Sequence, residues 1–194
     1  LGSRGLGDVY KRQALHIGGI SGAILTNIAS KLLAKHGTVE GMYSNEKRYR
    51  RSNYLLARSW IKNAKCYLGG LSLTKTYCSY EDYDLVIVTP PNSYLGQIQR
   101  KPDIPLTLTK EDMKTIIAKE KEYLEEASKF VLKDGILVYA VRSVNLKEGK
   151  NIIDEFLKKH EDFALVDSRQ IYPYEFNSDG LYLSLIHISE PTRP

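Results

Sequence analysis

Two polar loops, each directly after a strongly apolar run, hold the side chains of this chain that are best placed for chemistry. Residues 83–88 lead into Thr89-Pro90-Pro91-Asn92-Ser93, and residues 137–141 lead into Arg142 and Ser143. Ligands of open α/β sheets bind at the carboxyl ends of strands, so we expect both loops to face one site. The Asn92 amide and the Arg142 guanidinium neither attack carbon nor accept a proton at neutral pH. These loops therefore favour binding of polar or anionic groups over covalent catalysis.

Other candidate ligands and nucleophiles are scattered along the chain. Cys66 and Cys78 are the two cysteines, with neither metal-binding spacing nor a disulfide framework, which is typical of a reducing compartment. His16, His36 and His160 also lack metal spacing, and we expect them at the surface or in loops. We predict no metal site, and no apolar run is long enough to span a bilayer.

Both ends of the chain resemble sequence that is foreign to the domain. Residues 3–13 (SRGLGDVYKRQ) and 183–193 (LSLIHISEPTR) resemble the two reading directions of one translated sequencing adapter, and such segments are excluded from fold reasoning. We therefore expect artefact at residues 1–13 and 183–194, and one domain at residues 14–182 whose last strand is truncated. The alternative is that LSLIHI is a genuine core strand. Without the flanks the net charge falls from +5 to +3, a mild excess compatible with RNA binding.

Helical and strand patterns alternate between these flanks. The periodicity predicts helices near residues 23–35, 45–62, 110–130 and 146–159, and strands near 14–17, 39–43, 65–68, 85–89, 136–141 and 163–166. Thr109 is expected to cap the third helix, and Lys133-Asp134-Gly135 to end it. Repeated strand–helix–strand units predict a mostly parallel sheet with an antiparallel C-terminal edge. This α/β pattern is that of the Rossmann-like class I S-adenosylmethionine-dependent methyltransferase fold.

Four segments resemble the motifs of a known family in order and spacing. SNEKRYRRSNYLLARSWIKNAKCYLGG resembles "S-x-x-R-x-x-R-x-x-x-N-x-x-R-x-G-x-x-N", and YDLVIVTPPNSYLGQIQRKPDI resembles "F-D-x-V-L-V-D-A-P-C-S-G-T-G-x-x-R-x-x-P-D". GILVYAVRSVNLKEGKN resembles the family's strand with the motif "V-Y-S-T-C-S-V-x-x-x-E-N". YPYEFNSDGLY resembles the closing motif "P-x-x-x-x-x-D-G-F-F". Over essentially all of residues 14–182 the chain is similar to the catalytic domain of the RsmB/Sun family of RNA 5-methylcytosine methyltransferases.

The resemblance implies where covalent chemistry would occur. The family attacks cytosine with the cysteine of "T-C-S" and releases the product with help from the cysteine of "P-C-S". A thiolate suits this reaction because it is strongly nucleophilic and leaves readily. In this sequence the two positions are Arg142 and Asn92. The resemblance therefore predicts a pseudoenzyme, a methyltransferase-like domain that has lost its chemistry.

The resemblance also implies S-adenosylmethionine as cofactor, but its binding positions are degenerate. Tyr43 stands where the family has the acid that holds the ribose hydroxyls, Gly70 replaces the Asp beside the adenine, and Thr89 replaces the Asp of "D-A-P-C-S". His16 falls near the acid of the first motif. The positions implied for the cofactor are Gly18, Gly19, Gly22, Tyr43, Gly70 and Thr89.

RNA, and ribosomal RNA in particular, is the partner that the resemblance implies, together with a possible ribosome-assembly protein. Arg100 and Lys101 follow the Pro-Pro loop, where the family places its substrate. Arg142 could pair with a phosphate, and Tyr94 could stack on a base. We expect an intracellular protein, in the cytoplasm or an organelle.

A second hypothesis is an active enzyme with different chemistry. Thr89-Pro90-Pro91-Asn92 resembles the "[DN]-P-P-[YFN]" loop with which amino-methylating enzymes hold an exocyclic amine. That reaction needs no covalent attack. Thr89 in place of the leading Asp or Asn counts against this hypothesis, and so does the loss of the ribose acid. A third hypothesis is an ordinary enzyme of the family with a relocated cysteine.

Overall fold

The computed structural model of this chain describes residues 12–19, 22–34 and 36–188. Its strands are β1 Gln13–Ile17, β2 Thr38–Tyr43, β3 Ala64–Leu68, β4 Tyr83–Val88, β5 Val131–Val141, β6 Phe163–Ile171 and β7 Leu181–Ile188. Its α-helices are α1 Gly22–Leu33, α2 Glu46–Arg58, α3 Thr74–Tyr77, α4 Ile104–Thr107, α5 Lys110–Ser128, α6 Lys150–Lys159 and α7 Pro173–Phe176. Short 3-10 turns occur at Leu71–Leu73 and Leu95–Gln97.

The strands form one seven-stranded sheet in the order β3-β2-β1-β4-β5-β7-β6. Strands β1 to β5 pair in parallel, whereas β7 is antiparallel to both β5 and β6. The predicted parallel sheet with an antiparallel C-terminal edge is therefore confirmed. The strand order reverses between β1 and β4, and such a reversal opens a crevice at the carboxyl ends of these two strands.

Two apolar clusters cover the two faces of the sheet. One joins Leu25 and Ala29 of α1 to Leu56 of α2, and the other joins side chains of α5 and α6 to the sheet. Neighbouring residues of β1 contribute to opposite clusters because side chains alternate along a strand. Among the described residues no helix is both long and apolar enough to cross a bilayer.

Strand β5 begins earlier than the sequence pattern predicts. Helix α5 ends at Ser128, and Lys133-Asp134-Gly135 lies inside β5, so the prediction that these residues end the helix is wrong. The ladder with β4 shifts between the pairs Tyr83↔Val131 and Leu85↔Ile136, which leaves extra residues in β5. Asp134 adopts a φ of 64°, as expected for the turn of a bulge.

Strand β7 continues through Ile188, six residues past residue 182, where the sequence analysis expects the genuine domain to end. Tyr182, Ser184 and Ile186 are buried in alternation. Ladder hydrogen bonds use only the backbone, so this segment completes the sheet whatever its origin. Its adapter origin stays a prediction, as do the boundaries of the domain. Residues 3–11 and 189–193 of the predicted adapter lie outside the described residues.

Candidate functional site

The carboxylate of Glu148 ties the loop after β4 to the loop after β5. The Ser93 N–H donates to Oε1 at 2.7 Å, and the hydroxyls of Ser93 and Ser143 both donate to Oε2 at 2.6 Å. The Tyr139 hydroxyl donates to the Glu148 carbonyl at 2.6 Å. Because Glu148, Ser93 and Ser143 are buried, these bonds are shielded from water. They hold the loops of Asn92 and Arg142, the positions at which the resemblance predicts the family's cysteines, next to each other.

A second buried carboxyl, that of Glu120 on α5, lies against Glu148. Within the described part of the chain neither carboxyl oxygen of Glu120 has a hydrogen-bond partner. Burial, and then the charge of Glu148, raise the pKa of Glu120 well above its usual range. Glu120 is therefore uncharged at neutral pH.

The loop after β4 also meets the β6–β7 connection at a glycine contact. The Gly96 N–H donates to the Arg142 carbonyl at 3.0 Å, and the Gly180 N–H donates to the Gly96 carbonyl at 2.7 Å. A Cβ on Gly96 would lie 2.0 Å from the Gly180 carbonyl oxygen, so a side chain cannot fit here. Three loops are thus joined at the carboxyl end of the sheet.

Asn92 is buried, and its amide is occupied within its own loop. Its Nδ2 donates to the Pro90 carbonyl at 3.0 Å, and its Oδ1 accepts from the Tyr94 N–H at 3.1 Å. The side chain therefore closes a turn, as Asn commonly does. These two bonds use one hydrogen of the amide nitrogen and one lone pair of the amide oxygen.

Arg142 lines an open cleft between the loop after β4 and the β6–β7 connection. The residues that line this cleft are Gln99, Arg100, Arg142, Asn177, Ser178, Asp179 and Leu181. Asp179 accepts from Gln97 Nε2 at 2.9 Å and pairs with the Arg100 guanidinium. The cleft thus brings together two of the four predicted RNA-binding residues. Lys101 is exposed and Tyr94 is half-buried, and neither is among the residues that line the cleft.

His16 is buried at the end of β1, so the prediction that it lies at the surface or in a loop is wrong. Its Nε2 lies 3.0 Å from the Thr89 hydroxyl. Burial lowers the pKa of His16 to about 4, and the ring is therefore neutral at neutral pH. Gly18, with a φ of 85°, packs so closely that a Cβ would lie 2.4 Å from the Thr89 carbonyl oxygen.

Tyr43, at the end of β2, fills the space beside the glycine loop. A Cβ on Gly19 would lie 2.6 Å from Cε1 of the Tyr43 ring. The Tyr43 side chain is buried near Ser52 and Cys66, and burial raises its pKa to about 12. It therefore supplies neither a carboxylate nor open space where the family holds a ribose.

The remaining cofactor positions contact other parts of the protein. A Cβ on Gly22 would lie 2.9 Å from the Ser52 Cα, so Gly22 serves the packing of α1 on α2. A Cβ on Gly70 would lie 2.9 Å from the Ser44 Cβ. A ribose binds best to a carboxylate that accepts from its hydroxyls, and neither Tyr43 nor Gly70 provides one. The residues present do not fit the family's mode of holding S-adenosylmethionine.

The chain has the class I methyltransferase fold, as its strand order with an antiparallel β7 shows. A family model described as 16S rRNA methyltransferase RsmB/F matches residues 18–187. The chain belongs to this family.

Relatives support the same assignment. Ribosomal RNA small subunit methyltransferase B of Pectobacterium atrosepticum is 30% identical over 114 residues, which are 55% of this chain and 27% of that protein. A probable ribosomal RNA small subunit methyltransferase B of Coxiella burnetii is 26% identical over 162 residues, 77% of this chain and 38% of that protein. The chain thus spans well under half the length of these two relatives.

Solved structures share the fold. NSun6 from Pyrococcus horikoshii, solved with SFG, has a TM-score of 0.80 and 17% identity, covering 93% of this chain and 49% of that one. An S-adenosylmethionine-dependent methyltransferase from Aquifex aeolicus has a TM-score of 0.59 and 10% identity, covering 92% of this chain and 84% of that one. The predicted fold class is confirmed, and the cofactor expectation is confirmed for the family and its neighbours.

Several residues of the site are absent from the sequence-based predictions. Ser93, Ser143 and Glu148 match the "S" and "E" letters of the family's cysteine motifs, and that match was the available signal. Glu120 shares helical spacing with Ile117, Leu124 and Ala127, which places it on the buried stripe of α5.

Proposed function

We propose that this chain is an RNA-binding domain of the RsmB/F family that no longer transfers methyl groups. The proposal rests on one observation. Asn92 and Arg142 match the positions of the family's two cysteines, and the loops that contain them are joined by Glu148. Neither side chain can form the covalent bond to carbon 6 of cytosine that the family's reaction requires. Cys66 lies in β3, and Cys78 lies between α3 and β4. Neither cysteine is therefore in the loop after β4 or in the loop after β5.

We infer further that S-adenosylmethionine does not bind tightly. The neutral pair of His16 and Thr89 stands at two positions where the family has acids, and Tyr43 stands at a third. S-adenosylmethionine carries a sulfonium cation and a ribose diol, and both favour nearby carboxylates. The loss of those charges supports a domain that works without the cofactor.

RNA binding is supported by the arginines of the cleft. Arg100 and Arg142 line it together, and Asp179 is the acidic residue among its lining side chains. Guanidinium groups pair well with phosphate, and phosphate contacts supply most of the sequence-independent affinity for RNA. By resemblance the RNA is ribosomal, and a role in holding an RNA fold or a ribosome-assembly partner follows from that.

The alternative of an active amino-methylating enzyme has less support. The Asn92 amide is engaged by Pro90 and Tyr94, and Thr89 binds His16 instead of a substrate. This alternative requires tight binding of S-adenosylmethionine, which the main proposal does not.

Three measurements on the full chain separate these functions. Isothermal titration with S-adenosylmethionine should give no tight binding, and anisotropy with a short single-stranded RNA should give binding that weakens as salt rises. A double variant, Asn92→Cys with Arg142→Cys, should stay inactive in transfer of a labelled methyl group to RNA. Tight cofactor binding by the wild type, or methylation by either protein, would overturn the proposal. If the wild type did not bind RNA at low salt, the proposed RNA binding would be wrong.

A further inference from the structure

Three aromatic side chains, two of them exposed, form a shelf on the β6–β7 connection. This aromatic shelf consists of Tyr172, Tyr174 and Phe176, within or beside α7. Tyr174 is 79% exposed and Phe176 is 60% exposed. The rings of Tyr172 and Tyr174 are parallel within 6°, with centroids 5.6 Å apart. Exposed aromatic groups of this kind on a folded surface indicate a contact site.

The shelf is held in place from beneath by polar contacts. The Tyr172 N–H donates to Glu175 Oε1 at 2.8 Å, which caps the single turn of α7, and Pro173 fixes the first position of that turn. The Arg169 guanidinium lies 5.2 Å from the centroid of the Phe176 ring and 3.6 Å from Glu175. The rings are therefore ordered before any partner arrives, which lowers the entropy cost of binding.

The shelf lies next to the arginine cleft along the chain. Asn177, Ser178 and Asp179 follow Phe176 in the chain and line the same cleft as Arg100 and Arg142. A flat aromatic surface beside guanidinium groups offers stacking for a base and charge for a phosphate. Single-stranded nucleic acids bind to this combination, because their bases are free to leave one another and stack on protein rings.

We propose that the aromatic shelf and the arginine cleft together bind one single-stranded segment of RNA, with an unstacked base on Tyr174 and a phosphate at Arg142. This inference rests on the proposed RNA-binding function and specifies the form of RNA that it takes. The bases of a duplex are stacked on one another and cannot reach the ring. The shelf thus discriminates against double-stranded RNA.

The test measures binding of fluorescent RNA by anisotropy. Tyr174→Ala should weaken binding of single-stranded RNA by about tenfold, because removing one stacking ring typically has an effect of that order. Tyr174→Phe keeps the ring and should bind as the wild type does. Tyr54→Ala is the matched control, since Tyr54 is 63% exposed but lies on α2. Thermal unfolding of each variant checks that the fold is retained.

A second RNA, whose nucleotides lack their bases, separates the contribution of base stacking to affinity from the contribution of phosphate charge. The difference between Tyr174→Ala and wild type should vanish with abasic RNA, whereas Arg142→Ala should still weaken binding. Equal binding of single-stranded RNA by wild type and Tyr174→Ala, or equal wild-type affinity for a matched duplex, would overturn this inference and leave the proposed function intact. Failure of the wild type to bind any RNA would overturn both.

Discussion

Asn92 and Arg142 follow neighbouring strands, but their side chains have different roles. The Asn92 amide bonds to Pro90 and Tyr94 and so stabilises its own turn. Arg142 instead places a permanent positive charge in a solvent-open cleft. Both residues were identifiable from the sequence, because each follows an apolar strand in a recognisable motif. What they contact was not predictable, because contacts across loops depend on the tertiary fold.

Glu120 is not among the predicted site residues although its spacing places it on the buried stripe of α5, since most glutamates on a helix face solvent. Its folded-state pKa lies above the ordinary 4.5 because of burial and Glu148. The unfolded chain ionises above that value while the folded chain keeps the proton. Stability should therefore fall as pH rises from about 4.5 towards the raised pKa.

Glu120→Gln removes this ionisation with little change in shape. We expect the variant to gain about 1–3 kcal/mol in the free energy of unfolding at pH 8 and almost nothing near pH 4.5. Urea unfolding at several pH values measures the difference. Glu122→Gln is the control, because Glu122 is exposed on the same helix. A gain that is the same at every pH would contradict the explanation.

At the scale of elements, apolar periodicity predicts the existence of helices and strands better than their ends. Helix α5 begins as predicted, with the Thr109 hydroxyl accepting from the Asp112 N–H at 3.1 Å and Asp112 Oδ2 accepting from the Thr109 N–H at 3.0 Å. Such a capping box can be read from local residue types. The start of β5 could not be read in this way, because its bulge depends on register with β4.

Thr109→Ala should destabilise the protein by about 1 kcal/mol, because one N–H of the first turn loses its acceptor. Thermal or urea unfolding measures the loss. Thr115→Ala is the matched control within α5, since the Thr115 hydroxyl only bonds back to the Glu111 carbonyl. We expect that control to be neutral or slightly stabilising, given the higher helix propensity of alanine. Equal losses in the two variants would show that the cap contributes nothing specific.

For the whole molecule, buried His16 sets the response to acid. Its pKa is about 4 in the folded protein against 6.5 for an exposed histidine, so the unfolded chain binds more protons between these values. The contribution of His16 to stability should therefore be fully present above pH 6.5 and be lost, by roughly 3 kcal/mol, as pH drops through 4. His16→Gln should flatten this acid dependence, whatever its effect at neutral pH.

Urea unfolding between pH 7 and pH 4 tests this expectation. His36→Asn is the control, because His36 is exposed and asparagine tolerates its φ of 51°. An acid dependence that persists unchanged in His16→Gln would assign it to other groups.

The hydrogen bonds of the Glu148 carboxylate involve neither the Asn92 nor the Arg142 side chain. The side chains that fix the two loops, Ser93 and Ser143, are the immediate neighbours of Asn92 and Arg142. Every one of these bonds is present in a chain that has no cysteine at either position. The framework of the two loops therefore does not require a thiol, and its surface can bind a ligand without one.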